Sequence, residues 1–286
     1  MTEPSRTSSG PTKIMISADM EGVTGVTWTD DVLPGTEQWQ RFRQMLTGDV
    51  NAAVAGLCSG GADSVLVNEA HLSQRNLLLE ELDTRARLLT GRHKPLSMME
   101  GVDSGVDGAV LLGYHAGSGC EGVLSHTYLP AHITGVWLDD APASEGRLNT
   151  VLAAEYGVPV LVVTGDDRAC ADAAEYAPGA EHVVVKECVS RYAAVCDPPS
   201  VTAARIAEAA ERAMARAGRG ERVVGPHRIE IEFDASHLAQ AAAVVPTVEE
   251  VGLRRVGFDA ATMTDAMKAF KVVTSIADGA VQGKYG

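Results

Sequence analysis

The chain has 286 residues, 45% hydrophobic and 22% charged, which is enough to bury a core without cross-links in one large domain or two smaller ones. Its formal net charge is −14, and no basic stretch is dense enough to follow a phosphate backbone, so nucleic acid is excluded as an expected partner. The five cysteines (Cys58, Cys120, Cys170, Cys188 and Cys196) are odd in number and form no C-x-x-C, which excludes a disulfide framework and a cysteine zinc site and fits a reducing cytoplasm.

Residues 1–11 read as a short disordered tail without the apolar core of a signal peptide. No apolar run is long enough to span a bilayer, so no membrane contact is expected. Residues 13–18 (KIMISA) form a first predicted strand. Residues 36–57 form a helix, with Trp39, Phe42, Leu46, Val50, Val54 and Leu57 spaced by three or four, and Gly60-Gly61 stops it. Strands follow at 63–68, 109–114 and 133–138. Residues 144–156 are helical and close at Gly157; the valine-rich run 159–164 has the composition of a buried parallel strand. A helix over 166–175, a strand over 182–186 and a helix over 198–217 complete this part. After a linker at 216–225 come strand 228–233, helix 235–243, strand 253–257 and helix 260–276.

This alternation predicts a three-layer α/β/α fold with a largely parallel sheet and a smaller C-terminal α/β part. The expected division is a tail at 1–11, a core at 12–217, and a subdomain at 218–286 packed on that core.

The chemistry concentrates where predicted strands end. Asp19 and Glu21 follow the first strand at i and i+2, so in an extended backbone they point the same way and can converge on one cation. His71 follows the second strand and His115 the strand at 109–114. Ligands of open α/β sheets bind at this carboxyl edge. Imidazole and carboxylate together suit zinc, with manganese or cobalt as alternatives. Glu145 opens a helix, where the helix dipole alone would explain an acid. His126 follows soon after His115; His93, His132, His182, His227 and His237 have no such setting and read as surface residues. No G-x-S-x-G elbow, P-loop or H-E-x-x-H helix occurs.

Six stretches occur in one order: S-A-D-M-E-G (17–22), V-N-E-A-H (67–71), H-K-P-L-S-M-M-E-G (93–101), L-G-Y-H-A (112–116), G-V-L-S-H (122–126), and E-G-R-L-N with G-V-P-V-L-V-V-T-G-D-D (145–167). In that order the chain resembles the DppA-type bacterial D-aminopeptidases, closely over 13–167 and more weakly through 186–194. The resemblance implies two bridged zinc ions. Asp19 would bridge them, Glu21 and His115 would complete one site, and His71 and Glu145 the other. His126 matches the family's catalytic histidine, which is not a ligand. The implied substrate is a short peptide with an N-terminal D-residue, such as D-Ala-D-Ala, and the implied assembly is a decamer of two pentameric rings.

Glu69 and Ser144 depart from the family pattern at positions expected to shape the substrate pocket. They leave room for a metal-dependent amidohydrolase acting on an aminoacyl small molecule. A non-catalytic oligomeric binding protein is the reading of another class.

Overall fold

A computed structural model describes residues 10–281. The first nine residues of the expected tail lie outside the described residues. Seven strands form the large sheet: β1 (Lys13–Ala18), β2 (Ser64–Glu69), β3 (Ala86–Leu89), β4 (Gly108–Leu112), β7 (Val160–Asp166), β8 (Glu181–Ser190) and β9 (Ala193–Cys196). Their order is β3-β2-β1-β4-β7-β8-β9, and all pairings are parallel except β8 with β9, which form a hairpin. Successive side chains of a strand face opposite ways. Ile14 and Ile16 therefore join one core with α2 (Glu37–Ser59) and α5 (Pro199–Ala213), while Met15 joins the other. The second core also holds α3 (Glu145–Glu155), α4 (Asp167–Tyr176), α6 (Ser236–Ala242) and α7 (Met263–Gly279). A four-residue helix, α1 (Thr29–Val32), precedes α2.

The remaining strands are β5 (Ile133–Leu138), β6 (Ala141–Pro142), β10 (His227–Phe233), β11 (Glu249–Gly252) and β12 (Arg255–Ala260). They form an antiparallel sheet in the order β11-β12-β10-β5-β6. Segment 133–142 thus pairs with the C-terminal strands, and the small sheet draws on both sides of residue 217. The stretch predicted as a linker is tied to the core: Gly220 N–H donates to Gly157 O at 2.8 Å, and Val223 N–H to Ala154 O at 3.0 Å.

The strand predicted over 109–114 stops at Leu112 because Gly113 turns left-handed (φ +72°). That turn and a second glycine bring the exits of β1 and β4 together. Gly22 N–H donates to Gly113 O at 2.7 Å, and a Cβ on Gly113 would lie 2.3 Å from Asp19 O. Only a residue without a side chain fits there. Gly113→Ala is expected to cost about 1–3 kcal/mol from backbone strain, read as a lower thermal midpoint, and to displace Asp19 from His115. An unchanged midpoint would show that the exits can separate freely.

Candidate metal centre

Asp19 and Glu21 leave the carboxyl end of β1, His71 that of β2 and His115 that of β4. This is the switch point of the parallel sheet, where chains leave in opposite directions and a crevice opens. Glu145 enters from the first turn of α3, and His126 from the loop between β4 and β5. The structure brings all six predicted residues together, each at most 8% exposed.

Asp19 stands between two groups. His71 Nδ1 lies 3.5 Å from Asp19 Oδ1 and 3.0 Å from Glu21 Oε2. His115 Nε2 lies 3.4 Å from Asp19 Oδ2 and 3.7 Å from Glu145 Oε1. Donor atoms within 4.8 Å of one another thus define the triads Asp19–Glu21–His71 and Asp19–His115–Glu145. Glu21 and His115, which the resemblance places on one ion, also lie together in a third such group with His126. β2 lies on one side of β1 and β4 on the other, which sets His71 and His115 on opposite sides of Asp19.

Each histidine is oriented by a carbonyl. His71 Nε2 bonds Val32 O at 2.8 Å, His115 Nδ1 bonds Ala116 O at 3.0 Å, and His126 Nδ1 bonds Leu124 O at 2.8 Å. A carbonyl only accepts, so the bonded nitrogen carries the proton and the other nitrogen turns its lone pair into the cluster. The rings of His115 and His126 stack at 4.1 Å. His126 Nε2 lies 3.8 Å from both Glu21 Oε1 and Glu145 Oε1.

Three buried carboxylates repel one another without cations. Burial opposes the charge on Glu21, but His71 outweighs it and holds the carboxyl well below its ordinary value. Glu145, which Asp19 also repels, is pushed by burial up to about 7 against the pull of His115. Burial works against a charged His115, yet Asp19 and Glu145 carry it up to about 10. His71 likewise rises well above its ordinary value, its burial offset by Glu21 and Asp19. His126 goes the other way, to about 4, through burial and the charge of His115. Asp19 Oδ2 and Glu21 Oε2 are buried without a hydrogen-bond partner, and such oxygens call for a cation. The donor set of carboxylates and imidazoles fits zinc.

Several supporting residues lie within the recognised motifs but had no role assigned from the sequence. Under the site, Tyr114 Oη meets Ser17 Oγ at 2.7 Å and accepts from Asn149 Nδ2 at 2.9 Å, tying α3 to β1. Lys94, from the 93–101 motif, donates to Asn68 Oδ1 and Glu69 O, both at 2.6 Å, beneath the His71 turn. The two departures from the family pattern are structural. Glu69 accepts from the backbone N–H of Asn76 and Leu77 at 2.7–2.8 Å. Ser144 caps α3 through Arg147 N–H at 3.3 Å and donates to Asp172 Oδ2 at 2.5 Å.

A buried carboxylate–imidazole cluster at the switch point of a mostly parallel sheet defines an enzyme of the metal-dependent hydrolase class. The comparisons with known proteins narrow this. The sequence model of peptidase family M55, described as D-aminopeptidase, matches residues 12–272. A D-aminopeptidase of Bacillus subtilis (strain 168) is 35% identical over 268 residues, covering 93% of this chain and 97% of that protein. The solved structure of the Zn-dependent D-aminopeptidase DppA from Bacillus subtilis, a self-compartmentalizing protease, superposes with a TM-score of 0.88 at 34% identity, covering 93% of this chain and 98% of that one. The chain belongs to the M55 D-aminopeptidase family and is a peptide hydrolase.

Proposed function

We propose that the protein is a dinuclear zinc aminopeptidase that removes N-terminal D-residues from short peptides such as D-Ala-D-Ala. The observation that carries this is Asp19, shared by two triads and keeping a buried, unpartnered oxygen. Asp19 would serve both ions, and Glu21, His71, His115 and Glu145 would complete the two sites. When bound, zinc supplies Lewis acidity toward the peptide carbonyl and acidifies water.

The other steps belong to side chains. His126 offers the Nε2 lone pair, because its Nδ1 proton is held by Leu124 O. It is poised to take a proton from the attacking water and to release it to the leaving amine as the C–N bond breaks, so that water adds across the bond. Glu21 and Glu145, 3.8 Å away on either side, stabilise the imidazolium that forms in between. Because Glu69 and Ser144 are engaged in backbone caps, they lend no support to a different substrate class.

Support for a closed oligomer comes from the self-compartmentalizing relative and from exposed apolar side chains such as Leu253, Val244 and Val189. A decamer of two pentameric rings is the assembly proposed, and the mass in solution tests it. No helix among the described residues is long and apolar enough to cross a membrane.

The deciding experiment measures metal content together with hydrolysis of D-Ala and L-Ala p-nitroanilides. About two zinc ions per chain are expected, as in other two-metal hydrolases, with D-selective turnover lost to a chelator and restored by zinc. A protein without metal that cleaves either substrate equally well, or neither, contradicts the proposal.

A further inference from the structure

The motif at 186–194 has no part in the ligand set, yet its two cations reach both halves of the site. We infer that the β8–β9 hairpin is the positioning element of the centre: Lys186 fixes the loop that carries Glu21, and Arg191 fixes the turn that aims His126. The inference rests on the zinc hydrolase reading for its function and on hydrogen bonds for its geometry.

Beyond Glu21 the chain runs without regular structure to α1. Such a segment has no ladder to satisfy its carbonyls. Lys186, on β8 and only 2% exposed, fills that role. Its Nζ donates to Glu21 O at 2.6 Å, Val23 O at 2.9 Å and Val26 O at 2.7 Å. An ammonium has three protons and no acceptor. Three carbonyls from one loop therefore saturate it, and the loop wraps around a single fixed point. Glu21 cannot swing away from His71 without breaking that arrangement.

Arg191 does the same for the catalytic turn. Leu124 is held left-handed (φ +50°), a conformation that costs a leucine about 1–2 kcal/mol. Something outside the turn must hold it there. The Leu124 N–H donates to Arg191 O at 2.9 Å, and the Arg191 guanidinium donates to Ser125 O and, at 3.3 Å, to Ser125 Oγ. Arg191 thus grips both sides of the peptide whose carbonyl, Leu124 O, receives the His126 Nδ1 proton. The tip of the hairpin is itself braced. Arg191 lies over the Tyr192 ring at 5.7 Å, and Tyr192 meets Trp28 edge-on at 4.9 Å. Trp28 precedes α1, whose Val32 O orients His71.

The two cations predict different losses. In Lys186→Met three carbonyls of the loop lose the ammonium that gathers them, and zinc affinity is expected to fall about 10–100-fold, the usual effect of removing an outer-shell partner of a metal site. In Arg191→Met zinc affinity is expected to match the wild type, while kcat falls about tenfold with KM held, since only the aim of His126 is lost. Lys186→Arg and Arg191→Lys should recover part of each loss. The measurement is zinc affinity against a competing chelator, with kcat and KM on D-Ala p-nitroanilide. If Lys186→Met does not fold, Lys186→Arg decides. Zinc bound as tightly as in the wild type by a folded Lys186 variant overturns the inference, and so does an Arg191→Met enzyme with full kcat, or one that loses zinc and kcat together. If the wild type itself binds no zinc, only the functional reading falls, and imidazole nitrogen shifts take over. Arg191→Met should then unfix the Nδ1–H tautomer of His126, and an unaltered tautomer would overturn the inference.

Discussion

Asp19→Ala is expected to bind no zinc at wild-type affinity and to lose turnover by at least about 10³-fold. Lewis-acid stabilisation amounts to several kcal/mol, and each 1.4 kcal/mol or so is a factor of ten in rate. No other residue belongs to both the triad with His71 and the triad with Glu145. Removing Glu21 or Glu145 takes one ligand from one triad, whereas removing Asp19 takes one from each. The fold should survive. The Asp19 carboxylate accepts one backbone N–H, that of Met20 at 2.9 Å, while its own N–H to Leu112 O survives in alanine, and loss of the carboxylate relieves repulsion among three buried carboxylates. In chelator the variant should therefore melt within a few degrees of the wild type. In zinc only the wild type should gain, because a ligand stabilises the state that binds it. Asp19→Asn, which keeps size and loses charge, should follow Asp19→Ala. A variant that retains both zinc and turnover would end the shared-ligand reading.

How much of this was visible in the residues depends on the range of the interaction. Asp19 and Glu21 were legible because two local facts suffice: an apolar strand that ends at Ala18, and a period of two beyond it. His71 and His115 were legible as strand-end imidazoles. Glu145 was not, since an acid in a first helical turn has a sufficient local cause; only its approach to His115 in the folded chain gives it a second role. His126 likewise needed the family resemblance. Which side chains flank Asp19 on each side follows from strand order, which no motif encodes.

The fold shows the same division. Its core strands announced themselves by apolar runs, whereas β3, β9 and β11 are four-residue edge strands, half-buried or exposed, with no pattern long enough to read. Segment 133–138 was predicted as a strand without a sheet to belong to. Its apolar content was sufficient to predict a strand and silent on which sheet would take it. Its partner, β10, lies in the C-terminal part of the sequence. Lys186 closes a valine run, and nothing local tells that its ammonium turns inward to three carbonyls.

His126→Gln separates the two roles that the geometry leaves to that residue. Nε2 of His126 lies within 4.8 Å of donor atoms on Glu21 and His115, so distance alone would permit a third ligand cluster. Two facts argue for a proton carrier instead. Glu21 and His115 are already committed to the two triads that meet at Asp19, and the carbonyl-held Nδ1 proton leaves Nε2 as a free base between two carboxylates. Burial and His115 keep that base deprotonated, at about 4 in the metal-free protein. A base that is neutral at rest and flanked by two acids can hold a proton for the moment of transfer and give it up. Glutamine keeps the approximate size and a polar end but cannot carry the proton. The expected result is full zinc content, an unchanged KM, and kcat lower by about 10²–10⁴-fold, the range typical of a lost general acid–base. A fall to about one zinc per chain would make His126 a ligand, since metal content tracks the ligand set.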